Sequence, residues 1–265
     1  MHEFVDYTAS MKSASADGNI LWIGHRGSPL HYPENSIAGY RAVFEAGGRY
    51  VETDVQLTAD GIPFLYHDVE LMRLSGVQGR LFDIDSESAR LLPASFPERF
   101  GDRFDKLRIT PLADFAALLQ AYPDATAFVE IKDESLDQWG MGKVVDKVLA
   151  CIEPAKQQCV LIADNLDALQ YARNKAGYKI GWVIHRYDSA HHELAARHTP
   201  DFLICNYKRI NGDLWPGGWQ WMLYDISDPE LALEWADKGA ELIETRDIGG
   251  MLQHPLLQQR ACKHS

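Results

Sequence analysis

Short apolar segments alternate with helical segments along most of the 265-residue chain, and this alternation predicts an α/β fold of the (β/α)8, or TIM, barrel class. Most of the apolar segments are hydrophobic over nearly their whole length, as strands are in a parallel sheet that is covered on both faces. Eight such strands with intervening helices in roughly 250 residues match the size of this barrel. No glycine-rich dinucleotide fingerprint follows a strand, which disfavours the runner-up, a doubly wound open sheet.

The predicted elements follow one another in a regular order. The strand candidates are Ile20–Gly24, Tyr50–Val55, Thr126–Ile131, Cys159–Ala163, Ile180–Ile184, Phe202–Cys205, Trp221–Tyr224 and Leu242–Glu244. The helix candidates are Ser36–Ala46, Leu112–Ala121, Gly142–Ile152, Asn165–Ala176, Ser189–Arg197 and Asp228–Lys238. Asn35 and Ser36 suit the N-cap of the first helix, and Asp228 before Pro229 suits the start of the last.

A β-hairpin interrupts this order after the second strand. Asp60-Gly61 joins two extended segments and is typical of a tight hairpin turn. The loop consists either of these two residues or of the four residues Thr58–Gly61. In either register His67 points to the same side as Glu52 and Asp54, which share a face because they are two residues apart.

The domain organisation is simple. Residues 1–18 form a polar N-terminal arm, and we expect residues 19–265 to form a single barrel domain. An irregular insertion with glycine, proline and arginine occupies residues 69–108. The arm contains acidic residues and no apolar stretch, so it does not resemble a secretory signal. We expect four irregularly spaced cysteines to be reduced thiols: Cys151, Cys159, Cys205 and Cys262. Reduced thiols and an N-terminal segment unlike a secretory signal together predict a cytoplasmic location.

Composition excludes several classes of protein. The chain is 46% hydrophobic and 11% aromatic, so it can bury enough surface to fold and is not disordered. With 26 basic and 38 acidic residues its net charge is −12, which disfavours nucleic acid or an anionic membrane surface as a partner. No apolar segment approaches the roughly 18 residues of a membrane span, so we expect no stable membrane anchoring. Oligomeric state is left open.

Charged and titratable residues cluster where the predicted strands end. In a barrel of this class the active residues lie at the carboxyl ends of the strands and in the loops that follow. Glu130 and Lys132 share one face of their strand, whereas the apolar residues between and beside them take the other. The positions gathered in this way are His25, Arg26, Glu52, Asp54, His67, Glu130 and Lys132.

Three of these residues are carboxylates that predict a metal site. Glu52, Asp54 and Glu130 would repel one another inside a barrel unless a cation lay among them. Oxygen ligands suit one hard divalent cation, Mg²⁺ or Ca²⁺. Arg26 and Lys132 then offer positive charge to an anionic ligand.

The remaining two residues, His25 and His67, are suited to act as an acid and a base near neutral pH. A carboxylate-bound metal, two histidines and basic anchors favour cleavage of a phosphate ester. They fit sugar isomerisation or aldol chemistry less well, because that chemistry would need a Schiff-base lysine and would not need this group of metal ligands.

The same residues occur in a pattern that closely resembles the glycerophosphodiester phosphodiesterase family. The resemblance covers roughly residues 20 to 247. Its elements are His25-Arg26-Gly27, Pro33-Glu34-Asn35, Glu52-Thr53-Asp54-Val55, Thr58-Ala59-Asp60-Gly61, His67-Asp68 and Val129-Glu130-Ile131-Lys132, in the family's order.

The resemblance implies a function and a role for each residue. It implies hydrolysis of a small-molecule phosphodiester to sn-glycerol 3-phosphate and an alcohol. It also implies that Glu52, Asp54 and Glu130 bind the metal, that His25 and His67 are the catalytic acid and base, and that Arg26 and Lys132 hold the phosphate. Glu34 and Asn35 match the family's signature turn and are taken to support the site. In this family the insertion after the hairpin could shape the leaving-group pocket.

Some features fit this interpretation less closely. Family members usually have threonine-aspartate before a proline near the end, whereas this chain has Glu244-Thr245-Arg246-Asp247-Ile248. Ser36 also replaces a common threonine. Trp221 is counted among the supporting residues as wall or core, with a barrel-mouth position as the alternative.

The alternative functions are a lysophospholipase D-like enzyme that acts on lipids and a non-catalytic barrel that only binds.

Other histidine and tryptophan clusters receive structural interpretations. His185, His191, His192 and His198 are expected on or near a surface helix, with metal binding as the minor alternative. The segment from Trp215 to Trp219 is expected to be a loop with aromatic anchors, and His31 is a weak candidate for substrate contact.

Overall fold

The computed structural model describes residues 20–258, which form a closed barrel of eight parallel strands surrounded by helices, so the predicted TIM barrel is confirmed. The predicted arm, residues 1–18, and Cys262 lie outside the described residues. The strands are β1 (Leu21–Gly24), β2 (Tyr50–Leu57), β3 (Pro63–Leu65), β4 (Thr110–Pro111), β5 (Thr126–Ile131), β6 (Cys159–Ala163), β7 (Lys179–Ile184), β8 (Phe202–Asn206), β9 (Gln220–Tyr224) and β10 (Leu242–Thr245).

The barrel closes between its first and last strands. Its strands follow the order β1-β2-β5-β6-β7-β8-β9-β10, and β1 pairs in parallel with both β2 and β10. The two short strands β3 and β4 lie outside this circle: β3 pairs antiparallel with β2, and β4 pairs antiparallel with β3.

The helices pack on the outside of the sheet. Their bounds are α1 (Ile37–Glu45), α2 (Met72–Ser75), α3 (Ser86–Ala89), α4 (Pro97–Phe100), α5 (Leu112–Gln120), α6 (Asp133–Trp139), α7 (Met141–Ile152), α8 (Leu166–Ala176), α9 (Ser189–His198), α10 (Pro229–Asp237) and α11 (Ile248–Gln253), with 3-10 turns at Leu81–Asp83, Glu153–Gln158 and Tyr207–Arg209. Side-chain caps fix several helix starts. The Ser36 hydroxyl accepts from the Gly39 amide at the start of α1, and the Asp228 carboxylate accepts from the Leu231 amide at the start of α10.

The hairpin is present, but the register predicted for it is wrong. Leu57 pairs with Pro63, so the loop has the five residues Thr58–Ile62 rather than two or four. The hydroxyl of its first residue accepts from the amide of its last at 3.2 Å, which stabilises this longer turn. His67 therefore does not owe its position to strand pairing with Glu52; it follows the end of β3, where the chain bends towards the barrel.

Residues 69–108 form a small layer of short helices and turns beside the hairpin. Arg80 and Glu70 pair through an isolated antiparallel bridge. The layer has its own apolar core, built from Phe64, Tyr66, Leu71, Leu74, Leu81, Phe82, Ala89, Ala94 and Ile109.

The apolar residues divide between the barrel interior and the space between sheet and helices. The interior holds a small cluster in which the Phe128 and Phe202 rings meet edge to face, with centroids 5.2 Å apart. The larger cluster packs the outer faces of the strands against the helices. Within it, Cys159 and Cys205 are buried free thiols, while Cys151 is partly exposed.

Within residues 20–258, no helix is both long enough and apolar enough to cross a membrane.

Gly181 makes room for the packed interior. A Cβ atom at this position would lie 2.9 Å from Ile162 Cγ2 and 2.9 Å from Ile204 Cδ1. We therefore expect Gly181→Ala to lower the free energy of unfolding by about 1–3 kcal/mol through overpacking. Chemical denaturation measures this change. Gly218→Ala is the control, because a Cβ there meets nothing within 4 Å; equal stability of the two variants would contradict the packing argument.

Candidate active site

The carboxyl ends of the strands bring an acidic cluster into the barrel interior. Asp54 of β2 and Glu130 of β5 are in register on neighbouring strands, and Glu244 of β10 is in register with Ile23 of β1. Glu52, Asp54 and Glu244 are between 0% and 3% exposed. This end of the barrel is therefore acidic, whereas the layer beneath it is apolar.

Three of these carboxylates could together hold a metal ion. Oxygen atoms of Glu52, Asp54 and Glu130 all lie within 4.8 Å of one another. Glu52 Oε1 and Asp54 Oδ1 are buried, and neither accepts a hydrogen bond from the part of the chain that the structure describes. Burial and the neighbouring Asp54 and Glu244 raise the pKa of Glu52 well above its usual range. Buried oxygens with unsatisfied negative charge fit a hard divalent cation.

Two basic side chains partly balance this charge. Arg26 Nε lies 3.0 Å from Asp54 Oδ2, and Lys132 Nζ lies 2.9 Å from Glu130 Oε1 and 3.5 Å from Asp54 Oδ1. Burial disfavours the Asp54 carboxylate, but Arg26 and Lys132 outweigh this effect and hold the pKa of Asp54 well below its usual range. Asp54 is therefore ionised, whereas Glu52 forms no ion pair within the described residues.

Asn35 connects the loop after β1 to the acidic cluster. Its Nδ2 donates to Asp54 Oδ2 at 2.9 Å. Its Oδ1 accepts from the Tyr40 hydroxyl, the Thr53 hydroxyl and the Asp54 amide at 2.9 to 3.2 Å. This buried side chain thus connects Asp54 to Tyr40 and Thr53 and restricts the position of the Asp54 carboxylate.

His25 lies between two carboxylates. Its Nε2 is 3.3 Å from Glu244 Oε1, and its Nδ1 is 3.6 Å from Asp225 Oδ1. Burial opposes protonation of this imidazole, but Glu244 and Asp225 outweigh burial and raise the pKa of His25 above its ordinary value. Neither acidic partner is among the site residues predicted from the sequence. Glu244 stands there only as a departure from the family pattern, although it shares the inward face of its strand with Leu242.

His67 is held by a chain of ionic contacts. Its Nδ1 lies 2.6 Å from Asp68 Oδ1. Arg73 Nε donates to Asp68 Oδ2 at 2.6 Å, and the same guanidinium forms two bonds of 2.7 Å with Glu34. Glu34 in turn accepts from Arg26 NH1 at 3.1 Å. The supporting residue Glu34 therefore contacts the basic groups rather than the acidic cluster.

These side chains surround a cavity of about 180 Å³. Ile162, Val183 and Ile204 form its apolar floor. The polar and aromatic lining consists of His25, Arg26, Glu52, His67, Glu130, Lys132, His185, Tyr224 and Glu244. The structure thus brings together the predicted histidines, carboxylates and basic residues. It adds His185, which was expected on or near a surface helix.

Trp221 lies in the core, as its first interpretation expected, and does not line this cavity. It points outward from β9 into the core between sheet and helices, and its indole Nε1 donates to the Trp215 carbonyl at 3.0 Å. Trp215 stacks on Tyr187 and His192 and does not line the cavity. The insertion, residues 69–108, contributes no lining residue to the cavity within the described chain.

Comparison with known proteins identifies the family. Residues 25–210 match the model of the glycerophosphoryl diester phosphodiesterase family. The chain belongs to this family. The matched residues run from His25 at the cavity to the loop after β8, so they contain both histidines and Glu52, Asp54 and Glu130, whereas Glu244 lies beyond them.

Relatives with similar sequences cover part of the chain. Glycerophosphodiester phosphodiesterase 1 of Rattus norvegicus is 33% identical over 110 residues, which is 42% of this chain and 33% of that protein. A glycerophosphodiester phosphodiesterase of Caldanaerobacter subterraneus is 35% identical over 112 residues, 42% of this chain and 45% of that protein. The chain thus matches less than half the length of these curated relatives.

Solved structures share the fold over nearly the whole chain. A phosphodiesterase of Oleispira antarctica in complex with the product sn-glycerol-3-phosphate has a TM-score of 0.77 at 20% identity, covering 94% of this chain and 99% of that one. Glycerophosphodiester phosphodiesterase of Thermotoga maritima has a TM-score of 0.67 at 21% identity, covering 89% and 98%.

The Asn35 network predicts a strong effect of a nearly isosteric change. Asn35→Asp replaces the donor to Asp54 Oδ2 by a second carboxylate in a buried position. We expect the free energy of unfolding to fall by roughly 3 kcal/mol, because two buried charges then face each other. Thermal or chemical denaturation checks this, with exposed Asn211→Asp as the matched control. Equal loss in both variants would contradict the role given to Asn35.

The buried Glu244 predicts a pH-dependent stability in the presence of EDTA. Burial, partly offset by His25 and reinforced by Glu130, raises the pKa of Glu244 to about 7. A carboxyl whose pKa is higher in the folded than in the unfolded chain binds more protons when folded. Stability is therefore lost as pH rises from about 4.5 through 7, by roughly 1.4 kcal/mol per pH unit at most.

Glu244→Gln tests this expectation. Chemical denaturation of the metal-free protein between pH 5 and pH 8 should show a shallower decline for Glu244→Gln than for the wild type. Glu234→Gln is the control, because Glu234 lies on the surface and pairs with Lys238. Parallel curves for wild type and Glu244→Gln would show that Glu244 is not the responsible group.

Proposed function

We propose that the chain hydrolyses glycerophosphodiesters to sn-glycerol 3-phosphate and an alcohol. The observation that carries this proposal is the cavity in which two histidines, a three-carboxylate cluster and two basic side chains meet. Phosphodiester cleavage needs an acid, a base and positive charge around the phosphoryl group, and these residues supply all three. Family membership and the names of the relatives support the same substrate class.

The binding roles follow from charge. Arg26 and Lys132 line the cavity and would hold the phosphate oxygens, Arg26 with its planar fork and Lys132 as a point charge. Glu52, Asp54 and Glu130 would hold one divalent cation, Mg²⁺ or Ca²⁺, since their oxygens are close enough to share it. When bound, the cation would neutralise negative charge that develops on the phosphoryl oxygens.

The two histidines would divide the proton transfers. In the first step the glycerol 2-hydroxyl oxygen attacks phosphorus while one histidine accepts its proton. The bond between phosphorus and the head-group oxygen breaks, and the other histidine protonates the leaving alcohol. Water then adds to the cyclic phosphate with the roles reversed, and the bond to the 2-oxygen breaks to give sn-glycerol 3-phosphate.

Release of glycerol 3-phosphate from glycerophosphocholine tests this proposal. We expect release with Mg²⁺ or Ca²⁺ and none with EDTA. His25→Ala and His67→Ala should each lower kcat by about 10²- to 10⁴-fold, as loss of a general acid or base does. His198→Ala, at the end of the outer helix α9, is the control and should retain activity.

Two different results would contradict the proposed activity. A folded protein that releases choline or ethanolamine only from lysophospholipids would replace the proposed substrate by a lipid. A protein that binds glycerophosphodiesters without cleaving them under any metal condition would be a binding module, and the proposed activity would be wrong.

A further inference from the structure

One side chain of the insertion, Arg73, contacts two carboxylates that in turn contact residues of the cavity. Arg73 lies in α2 and does not line the cavity, yet its guanidinium reaches Asp68 and Glu34. Four hydrogen bonds of 2.6 to 3.0 Å connect it to these two carboxylates. The guanidinium also lies over the Phe96 ring, 5.4 Å from its centroid, which restricts its orientation.

The first contact leads to His67. The Asp68 carboxylate is an acceptor because burial is outweighed by His67 and Arg73, which keep the pKa of Asp68 well below its usual range. His67 Nδ1 must therefore be the donor in the 2.6 Å bond. In the neutral imidazole this bond selects the Nδ1–H tautomer, which leaves on Nε2 the lone pair that proton transfer requires.

The second contact leads to Arg26. Glu34 is 3% exposed, and its Oε1 accepts from both Arg73 NH2 at 2.7 Å and Arg26 NH1 at 3.1 Å. Arg26 has a positive φ of 54°, which is uncommon for a residue other than glycine, so its conformation depends on its surroundings. Glu34, held on its far side by Arg73, is one of the groups that fix the guanidinium at the cavity.

We propose that Arg73 is a positioning residue that sets the orientation of His67 through Asp68 and of Arg26 through Glu34. This inference rests on the proposed function, because it assigns His67 to proton transfer and Arg26 to the phosphate. Arginine is required because its planar fork serves two carboxylates at once. The insertion thus contributes to the reaction from behind the cavity wall.

Steady-state kinetics on glycerophosphocholine separate the two branches. We expect Arg73→Met to lower kcat by about 10²-fold and to raise KM, because both the acid–base group and the phosphate anchor lose their support. Asp68→Asn should reproduce the fall in kcat with KM nearly unchanged. Glu34→Gln should mainly raise KM. Arg73→Lys should recover part of the loss, since lysine can serve only one carboxylate.

Combined variants test whether Arg73 acts through these partners. In the Asp68→Asn background, Arg73→Met should change KM but cause little further fall in kcat, because the His67 branch is already broken. Arg80→Met is the matched control: Arg80 makes a two-bond contact with Asp83 in the same insertion, and its loss should change activity by less than about twofold. Equal losses from Arg73→Met in every background would overturn the proposal.

A second readout does not depend on activity. Selective ¹⁵N labelling of histidine, with His67→Gln for assignment, reports which ring nitrogen of His67 carries the proton. The wild type should show the Nδ1–H form, and Arg73→Met should show a mixture of forms. An unchanged His67 spectrum in Arg73→Met would overturn the positioning role. A changed spectrum in a protein that cleaves no glycerophosphodiester would overturn the proposed function and leave the Arg73–Asp68–His67 contact intact.

Discussion

The structure of the site depends on burying negative charge at the carboxyl end of a barrel whose interior is otherwise apolar. Glu52, Asp54 and Glu244 are all but inaccessible to water, and Glu130 is in register with Asp54. Carboxylates in this position are costly unless cations or donors surround them. Arg26 and Lys132 offset part of this cost, and the remaining unsatisfied oxygens favour a divalent ion.

The loop after β1 is shaped by the same requirement. Arg26 and Asn35 both have positive φ angles, and the backbone N–H of Asn35 donates to the Arg26 carbonyl at 3.0 Å. This backbone conformation costs free energy for residues other than glycine. It allows the Arg26 side chain and the Asn35 side chain to reach Asp54 from one loop, while the Arg26 amide donates to Glu52. These contacts with the buried carboxylates thus offset the free-energy cost of the backbone conformation.

Sequence periodicity predicts the barrel and most of its elements because buried strands and amphipathic helices carry a local signal. It fails where tertiary geometry decides. The hairpin loop is longer than Asp60-Gly61 suggests because the Thr58 side chain closes it. Asp225 is distant in sequence from His25. Arg73 lies near His67 in sequence but reaches it only through Asp68, so no spacing rule identifies its role. Glu244 could be found, because it shares one face of its strand with Leu242.

Calorimetric titration of the chelator-treated protein with Mg²⁺ and with Ca²⁺ tests the central electrostatic argument most directly. One ion should bind per chain, and this binding should be lost in Glu52→Gln, which removes one of the three carboxylates that would hold the ion. Saturable binding that is unchanged in Glu52→Gln, or no binding to a folded wild-type protein, would contradict the claim that the buried carboxylates form a cation site.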